Sequence, residues 1–332
     1  MLRELTRRAA LALAAAGFST MVVGASSAAA LEATDVKIGI SINDSTFLPL
    51  YLAEEEGYFS DEGLNVEVVV FRGGSDLTRA LVAEAVNIAI AAPTSVLSAI
   101  TAGQDLKVFF GGFNHTPFYW YAVPPIASVE DAKGKRFAIT RFGSSTDALT
   151  RYMLTNAGLD PDADVQIVQG GNSPERLTAM ETGQIDATIT SYPFNFLAEE
   201  RGYNLIASQR DAMPDFPIQS VYAAQSYIDG HPETIKAMLR GLIRGMKLAK
   251  SDKERAIKAL VDRVGLDERY AQMAYDDLIT GWNEDGLLAS EEGLKAFFDM
   301  AIAVGDAAEP WPLERFWDDR FVSTIDEWRD AQ

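Results

Sequence analysis

The chain has 332 residues, of which 29 are Lys or Arg, 48 are Asp or Glu, two are His and none are Cys, giving a formal charge of −19. Without cysteine there is no disulfide, thiolate metal site, cysteine nucleophile or lipidated cysteine. So acidic a chain also repels phosphate backbones, which excludes nucleic acid as a partner.

Arg3, Arg7 and Arg8 precede an uncharged, Ala-rich stretch that ends in small residues. This is the order of a secretory signal, with cleavage expected after Ala30 and a twin-arginine route left open. Removing residues 1–30 takes away three arginines and one glutamate, so the exported chain carries −21. Beyond it, β-branched runs at 36–42, 66–71 and 88–92 alternate with helical patterns at 48–57 and 76–85. The same order returns about 100 residues later: strands at 136–140, 165–169 and 185–190, and helices at 146–157 and 174–182. Gly73-Gly74 is matched to Gly170-Gly171, and Asn87 to Asp186, at the start of the third strand of each unit. Two lobes of one α/β architecture are therefore expected.

The runs Phe118–Val123 and Ile218–Ala223 fall outside both units and are expected to cross between the lobes. From Pro232 onward the pattern is helical, at 232–249, 252–264, 268–279 and 291–303. The expected organisation is a signal at 1–30, lobe 1 at 31–122, lobe 2 at 123–219, and a return to lobe 1 at 220–332.

Local strings narrow the architecture. Leu50-Tyr51-Leu52-Ala53, Glu56-Gly57-Tyr58-Phe59 and Glu62-Gly63-Leu64 form one segment; Ser128 to Lys135 and Met180 to Ile189 form two more. Together they resemble the substrate-binding proteins of ABC importers in the sulfonate, nitrate, taurine and thiamine-precursor group. That resemblance implies the type II periplasmic binding protein fold: two lobes, each a mostly parallel sheet flanked by helices, joined by two crossover strands. It also implies a periplasmic, non-enzymatic protein that takes up a small-molecule solute and serves an ABC permease with a cytoplasmic ATPase. A monomer is expected, with no cofactor, metal or catalytic residue. The run Ile42 to Phe47 departs from the Trp-x-Pro-Asn-like loop of the thiamine-precursor branch. That departure counts against a pyrimidine ligand.

Ligands of parallel α/β sheets sit beyond the carboxyl ends of the strands. In the first lobe those loops hold Asn43, Phe47, Arg72, Gly73, Ser75, Thr94 and Ser95. In the second they hold Arg141, Gly143, Ser144, Ser145, Thr146, Asn172, Ser191 and Tyr192. Arg141 to Thr146 is the strongest candidate, because its glycine admits a close ligand and the following helix offers free N–H groups. Arg72 and Arg141 suit a carboxylate, sulfonate or phosphate, or else pair with Asp76 and Asp147. Trp120 and Tyr192 are expected as aromatic walls. The ligand expected is a small organic anion, and both Arg72→Ala and Ser144→Ala should weaken its binding. The alternatives are a neutral pyrimidine-type thiamine precursor, an enzyme of the same fold, and a receptor that signals to a membrane sensor.

Overall fold

The computed structural model describes residues 30–330. The signal-peptide reading of residues 1–30 therefore lies, Ala30 excepted, outside the described residues.

Among the described residues, ten strands form two five-stranded sheets. In the first, β1 (Asp35–Ile40), β2 (Asn65–Val70) and β3 (Ile88–Ala91) run parallel, and β10 (Asp215–Ala224) lies antiparallel between β3 and β4 (Leu106–His115). In the second, β6 (Arg136–Ile139), β7 (Gln166–Gln169) and β8 (Ala187–Thr190) run parallel, and β5 (Tyr119–Ala122) lies antiparallel between β8 and β9 (Asn204–Ser208). The strand orders, β2-β1-β3-β10-β4 and β7-β6-β8-β5-β9, are the same order written twice. All four residues of β3 and of β8 are buried, as central strands covered by helices on both faces must be.

The repeat is real, and its register is uniform. Ile40 pairs with Val70 and Ile139 with Gln169; Ile38 pairs with Ile88 and Phe137 with Ala187. Every such pair is offset by 99 residues. The amide of Lys37 donates to the Asn87 side chain at 2.8 Å, and that of Arg136 to Asp186 at 2.9 Å, so the matched Asn and Asp do the same work in each lobe. The glycine pairs, in contrast, are not equivalent. The helices Gly74–Val82 and Ser173–Glu181 have equal length, so Gly73 and Gly74 correspond to Asn172 and Ser173.

The crossings also move. Tyr119–Ala122 belongs to the second sheet and Asp215–Ala224 wholly to the first, so neither strand bridges the lobes. The chain passes between the sheets at 116–118 and 209–214, ahead of the boundaries at 122 and 219 drawn from sequence. The amide of Gln209 donates to the carbonyl of Phe118 at 3.0 Å and ties the two crossings together.

The long helix Pro232–Ser251 packs on the first lobe. The helix Pro232–Ser251 lies along Leu48–Glu55 so closely that a Cβ at Gly245 would come within 2.0 Å of the Pro49 carbonyl oxygen. Only glycine permits this approach. Leu239, Leu242, Ile243 and Met246 close the core beneath it.

Candidate functional site

The carboxyl ends of β1, β3, β6 and β8 face one another across a cavity of about 50 Å³, room for about four water-sized groups. Asp44, Thr46, Phe47, Gly73 and Gly74 line it from the first lobe. Thr140, Ser144, Ser145, Thr146, Ser173, Arg176 and Ser191 line it from the second. Pro117 and Phe118 close it at one crossing, and Ile218 and Gln219 in β10 complete the wall. The lobes touch over it. Arg141 Nε lies 3.3 Å from Asp76, Ser95 Oγ donates to the Gly143 carbonyl at 3.5 Å, and Ser191 Oγ donates to Asp44 Oδ2 at 3.5 Å. Gly73, at φ +111°, lets Thr140 and Arg141 approach to where a Cβ would stand 3.2 Å from each.

The strongest electrostatic feature of the cavity is Arg176, 1% exposed. Burial lowers its pKa to about 10 against the weaker pull of the neighbouring Glu175 carboxylate, and among the described residues no carboxylate lies within ion-pair distance of it. Instead it donates from Nε to the Thr188 hydroxyl at 2.9 Å and from Nη2 to the Ile189 carbonyl at 2.8 Å. It also donates to the hydroxyls of Thr140 and Ser173, each at 3.1 Å, and to the Gly171 carbonyl. Thr140 and Ser173 line the cavity and accept from the guanidinium, so each keeps its own proton to donate inward. The charge thus reaches the cavity through oriented hydroxyls in a setting of low dielectric.

Of the residues expected from sequence, Phe47, Gly73, Ser144, Ser145, Thr146 and Ser191 line the cavity. Ser144 also holds its own loop, its hydroxyl donating to the Arg141 carbonyl at 2.7 Å. Ser95, Arg141 and Gly143 meet at the lobe contact just described, and Ser75 lies beside Gly143. Thr94 is buried at the start of the helix Thr94–Thr101.

The others stand apart from the cavity. Asn43 accepts from the Tyr51 hydroxyl and donates to the Arg263 carbonyl. Arg72 is exposed on the surface. Asn172 caps the helix Ser173–Glu181, sharing a capping box with Glu175. Trp120 is core, its indole N–H donating to Thr150 at 2.9 Å. Tyr192 is buried at the crossings, bonded to the hydroxyl of Tyr119 and to Arg210. Alternation decides the case of Trp120, because its face of β5 points into the sheet packing. Trp120→Phe should therefore leave ligand affinity unchanged in calorimetry. It should lower unfolding free energy by about 1 kcal/mol for the lost hydrogen bond. A tenfold loss of affinity would return Trp120 to the site.

Asp44, Thr46, Thr140, Ser173, Arg176 and Gln219 were not anticipated. A signal for Arg176 existed. On the helix Ser173–Glu181 the buried positions are 173, 176, 177 and 180, so the arginine sits on the apolar face, where the 99-residue register puts Leu77 in the other lobe. A charge on a buried helical stripe points to a partner within.

A family model described as NMT1/THI5 like matches residues 44–256. A putative binding protein of Bacillus subtilis, YtlA, is 24% identical over 219 residues, 64% of this chain and 66% of its own length. Among solved structures, a protein of Bordetella bronchiseptica superimposes with a TM-score of 0.80 at 24% identity, covering 90% of this chain and 99% of that one. The alkanesulfonate-binding protein SsuA of Xanthomonas axonopodis, bound to MOPS, gives 0.70 at 21% identity, covering 85% and 96%.

Proposed function

The chain belongs to the NMT1/THI5-like family and has the two-lobed type II periplasmic binding fold, and on that premise we propose that it is the solute-binding component of an ABC importer. It captures a small organic anion between its lobes and presents it to a membrane permease. The observation that carries this reading is Arg176, a buried cation that makes no ion pair among the described residues and lines the cavity beside the Thr140 and Ser173 hydroxyls it donates to. Burying a charge is expensive unless something pairs with it, and an anion in the cavity fills that role. The N-termini of the helices Gly74–Val82 and Ser145–Asn156 add partial positive charge at the same cavity.

The likeness to an alkanesulfonate-binding protein supports a sulfonate or carboxylate head group. The charged, apolar and small-residue order of residues 1–30 supports export to the periplasm. Capture without chemistry is the reading that suits these groups. Thr140 and Ser173 are held by Arg176, Ser144 is held by its own loop, and His115 lies at the crossings beside Asp277 and Arg210.

The test is titration calorimetry of the protein from Leu31 onward with short sulfonates and carboxylates. At least one should bind with a Kd near micromolar, about −8 kcal/mol. Heats indistinguishable from dilution across both series would refute anion capture.

A further inference from the structure

The first-lobe wall of the cavity carries a carboxyl that anion capture alone leaves unexplained. Asp44 is 5% exposed, lines the cavity and makes no ion pair among the described residues. Its two oxygens differ. Oδ1 accepts from the Thr46 amide at 2.9 Å and from the Thr46 hydroxyl, which in turn accepts from Gln219. Oδ2 has only the Ser191 hydroxyl, at 3.5 Å across the cleft. Burial pushes the pKa of the carboxyl upward, against the opposing hydrogen bonds from Thr46 and Ser191. The charged groups around it are engaged elsewhere. Arg176 lines the same cavity but directs its donors to hydroxyls and carbonyls. Arg263, over the Tyr51 ring, pairs with Glu54. Asp277, on the helix Glu268–Leu278 packed against the turn Ser45–Phe47, pairs with Arg210. Tyr51 is pushed far up by burial and donates to Asn43.

An anion seated at the Arg176 wall comes up against this carboxyl, because the cavity has room for only about four water-sized groups. Two negative charges so close in a low dielectric cannot both persist, and the pair holds on to a proton. We infer that Asp44 binds one proton from solvent as the anion enters, and that Oδ2 then donates it to the ligand as a hydrogen bond. The carboxyl is thus a ligand-binding residue that works in its neutral form. It couples capture to the proton: one is taken up with each anion and returned to solvent on release. Because the bound anion favours the protonated carboxyl, affinity for the anion is full in mild acid and falls as pH rises past the point where Asp44 ionises in the empty protein. This rests on the reading of the protein as an anion-capturing receptor and deepens it.

The probes are ethanesulfonate and propanoate, both ionised above about pH 6. Calorimetry on the wild-type protein is run in Tris, imidazole and bis-Tris, amine buffers that differ in ionisation heat and do not compete for an anion site. For whichever probe binds, the observed heat at about pH 8 should vary with the buffer by about one proton per ligand, and affinity should fall about tenfold from about pH 7 to about pH 8. Asp44→Asn keeps the cap and sets a permanent N–H donor where the proton would sit. It should erase both the buffer dependence and the pH slope, and at about pH 8 it should bind about tenfold tighter than wild type. Heats independent of buffer, or an Asn variant weaker than wild type at every pH, would overturn the proton on Asp44 and leave anion capture standing. Proton uptake that persists in the variant would place the proton on another group and overturn the proposal likewise. Binding of neither probe would overturn both readings.

Discussion

Replacing Arg176 with Met should weaken ligand binding by about 100-fold and leave the empty protein folded. Opposing terms set the second half of this expectation. Holding the guanidinium charged in the interior costs about 3 kcal/mol, from the fall of its pKa from 12.5 to about 10. Removing it orphans the Gly171 carbonyl and leaves that of Ile189 with only the Thr188 hydroxyl, at about 1 to 3 kcal/mol each. The hydroxyls of Thr140, Ser173 and Thr188 can rotate to new partners. The sums nearly cancel, so the midpoint of thermal unfolding without ligand should move by only a few degrees. Binding has no such compensation. Losing the charge behind the two donors should weaken the ligand by about 100-fold, near 2.7 kcal/mol. Arg176→Lys keeps a point charge and should recover most of the affinity. The measurements are calorimetric affinity and the shift of the thermal midpoint on adding ligand. A variant whose thermal midpoint falls by about ten degrees or more while its affinity is unchanged would mean that Arg176 serves the fold.

Asp277→Asn should destabilise the protein by about 2 kcal/mol at neutral pH, and the deficit should vanish in acid. Asp277 lies in the helix Glu268–Leu278 of the first lobe and receives Arg210 through two hydrogen bonds, at 2.8 and 3.2 Å. Arg210 stands on the crossing and also donates to Tyr192 of the second lobe at 3.2 Å. Burial opposes the Asp277 charge, but hydrogen bonds from His115, Arg210 and Tyr192 outweigh it and lower the pKa from 3.8 to about 2. A depressed folded-state pKa stabilises above the unfolded value and is lost as pH falls through the folded one. The contribution, about 2 kcal/mol, is therefore complete above about pH 5 and gone near pH 1. Urea unfolding of wild type and variant at pH 7 and in the acid limb should show the two curves converging. Curves that stay parallel would mean that the carboxylate charge contributes nothing.

Much of the fold was legible because periodicity and turn residues carry it. The helix 291–303 and the strand 136–140 were located to within a residue. The strands Leu106–His115 and Asn204–Ser208 were missed. In the first, Gly111 and Gly112 interrupt the pattern, and a Cβ at Gly111 would meet the Leu287 carbonyl at 2.1 Å, a contact that no local window contains. The two crossings were misplaced for the same reason, since which sheet a strand joins is decided by partners far along the chain.

The candidate site divides in a similar way. Hydroxyls in the loops, Ser144 to Thr146 and Ser191, follow from the rule that ligands sit at strand ends. Arg141 was rightly weighed against a pair with Asp76, and the structure makes that pair. Arg72 was chosen for its loop, yet it points to solvent. Arg176 lies within a helix and Asp44 at the cap of a short turn, so the strand-end rule points to neither. In the 99-residue register, Arg176 falls opposite Leu77 and Asp44 opposite Gly143. In both cases a charge in one lobe replaces an uncharged residue in the other, and a near-symmetric scaffold becomes a polar cavity with two unlike ends.

The exchange of antiparallel strands has a consequence for how the chain assembles. All five strands of the second sheet lie within residues 119–208, whereas the first sheet needs β10, at Asp215–Ala224, to join β3 to β4. The inner lobe can thus close on contacts from one continuous stretch. The outer lobe must wait for a strand more than 120 residues downstream of β3 and for the helix that covers Leu48–Glu55. Loop closure over such a separation is slow. Refolding should therefore pass through a species in which the second lobe is ordered while β1 to β4 still exchange their amide hydrogens.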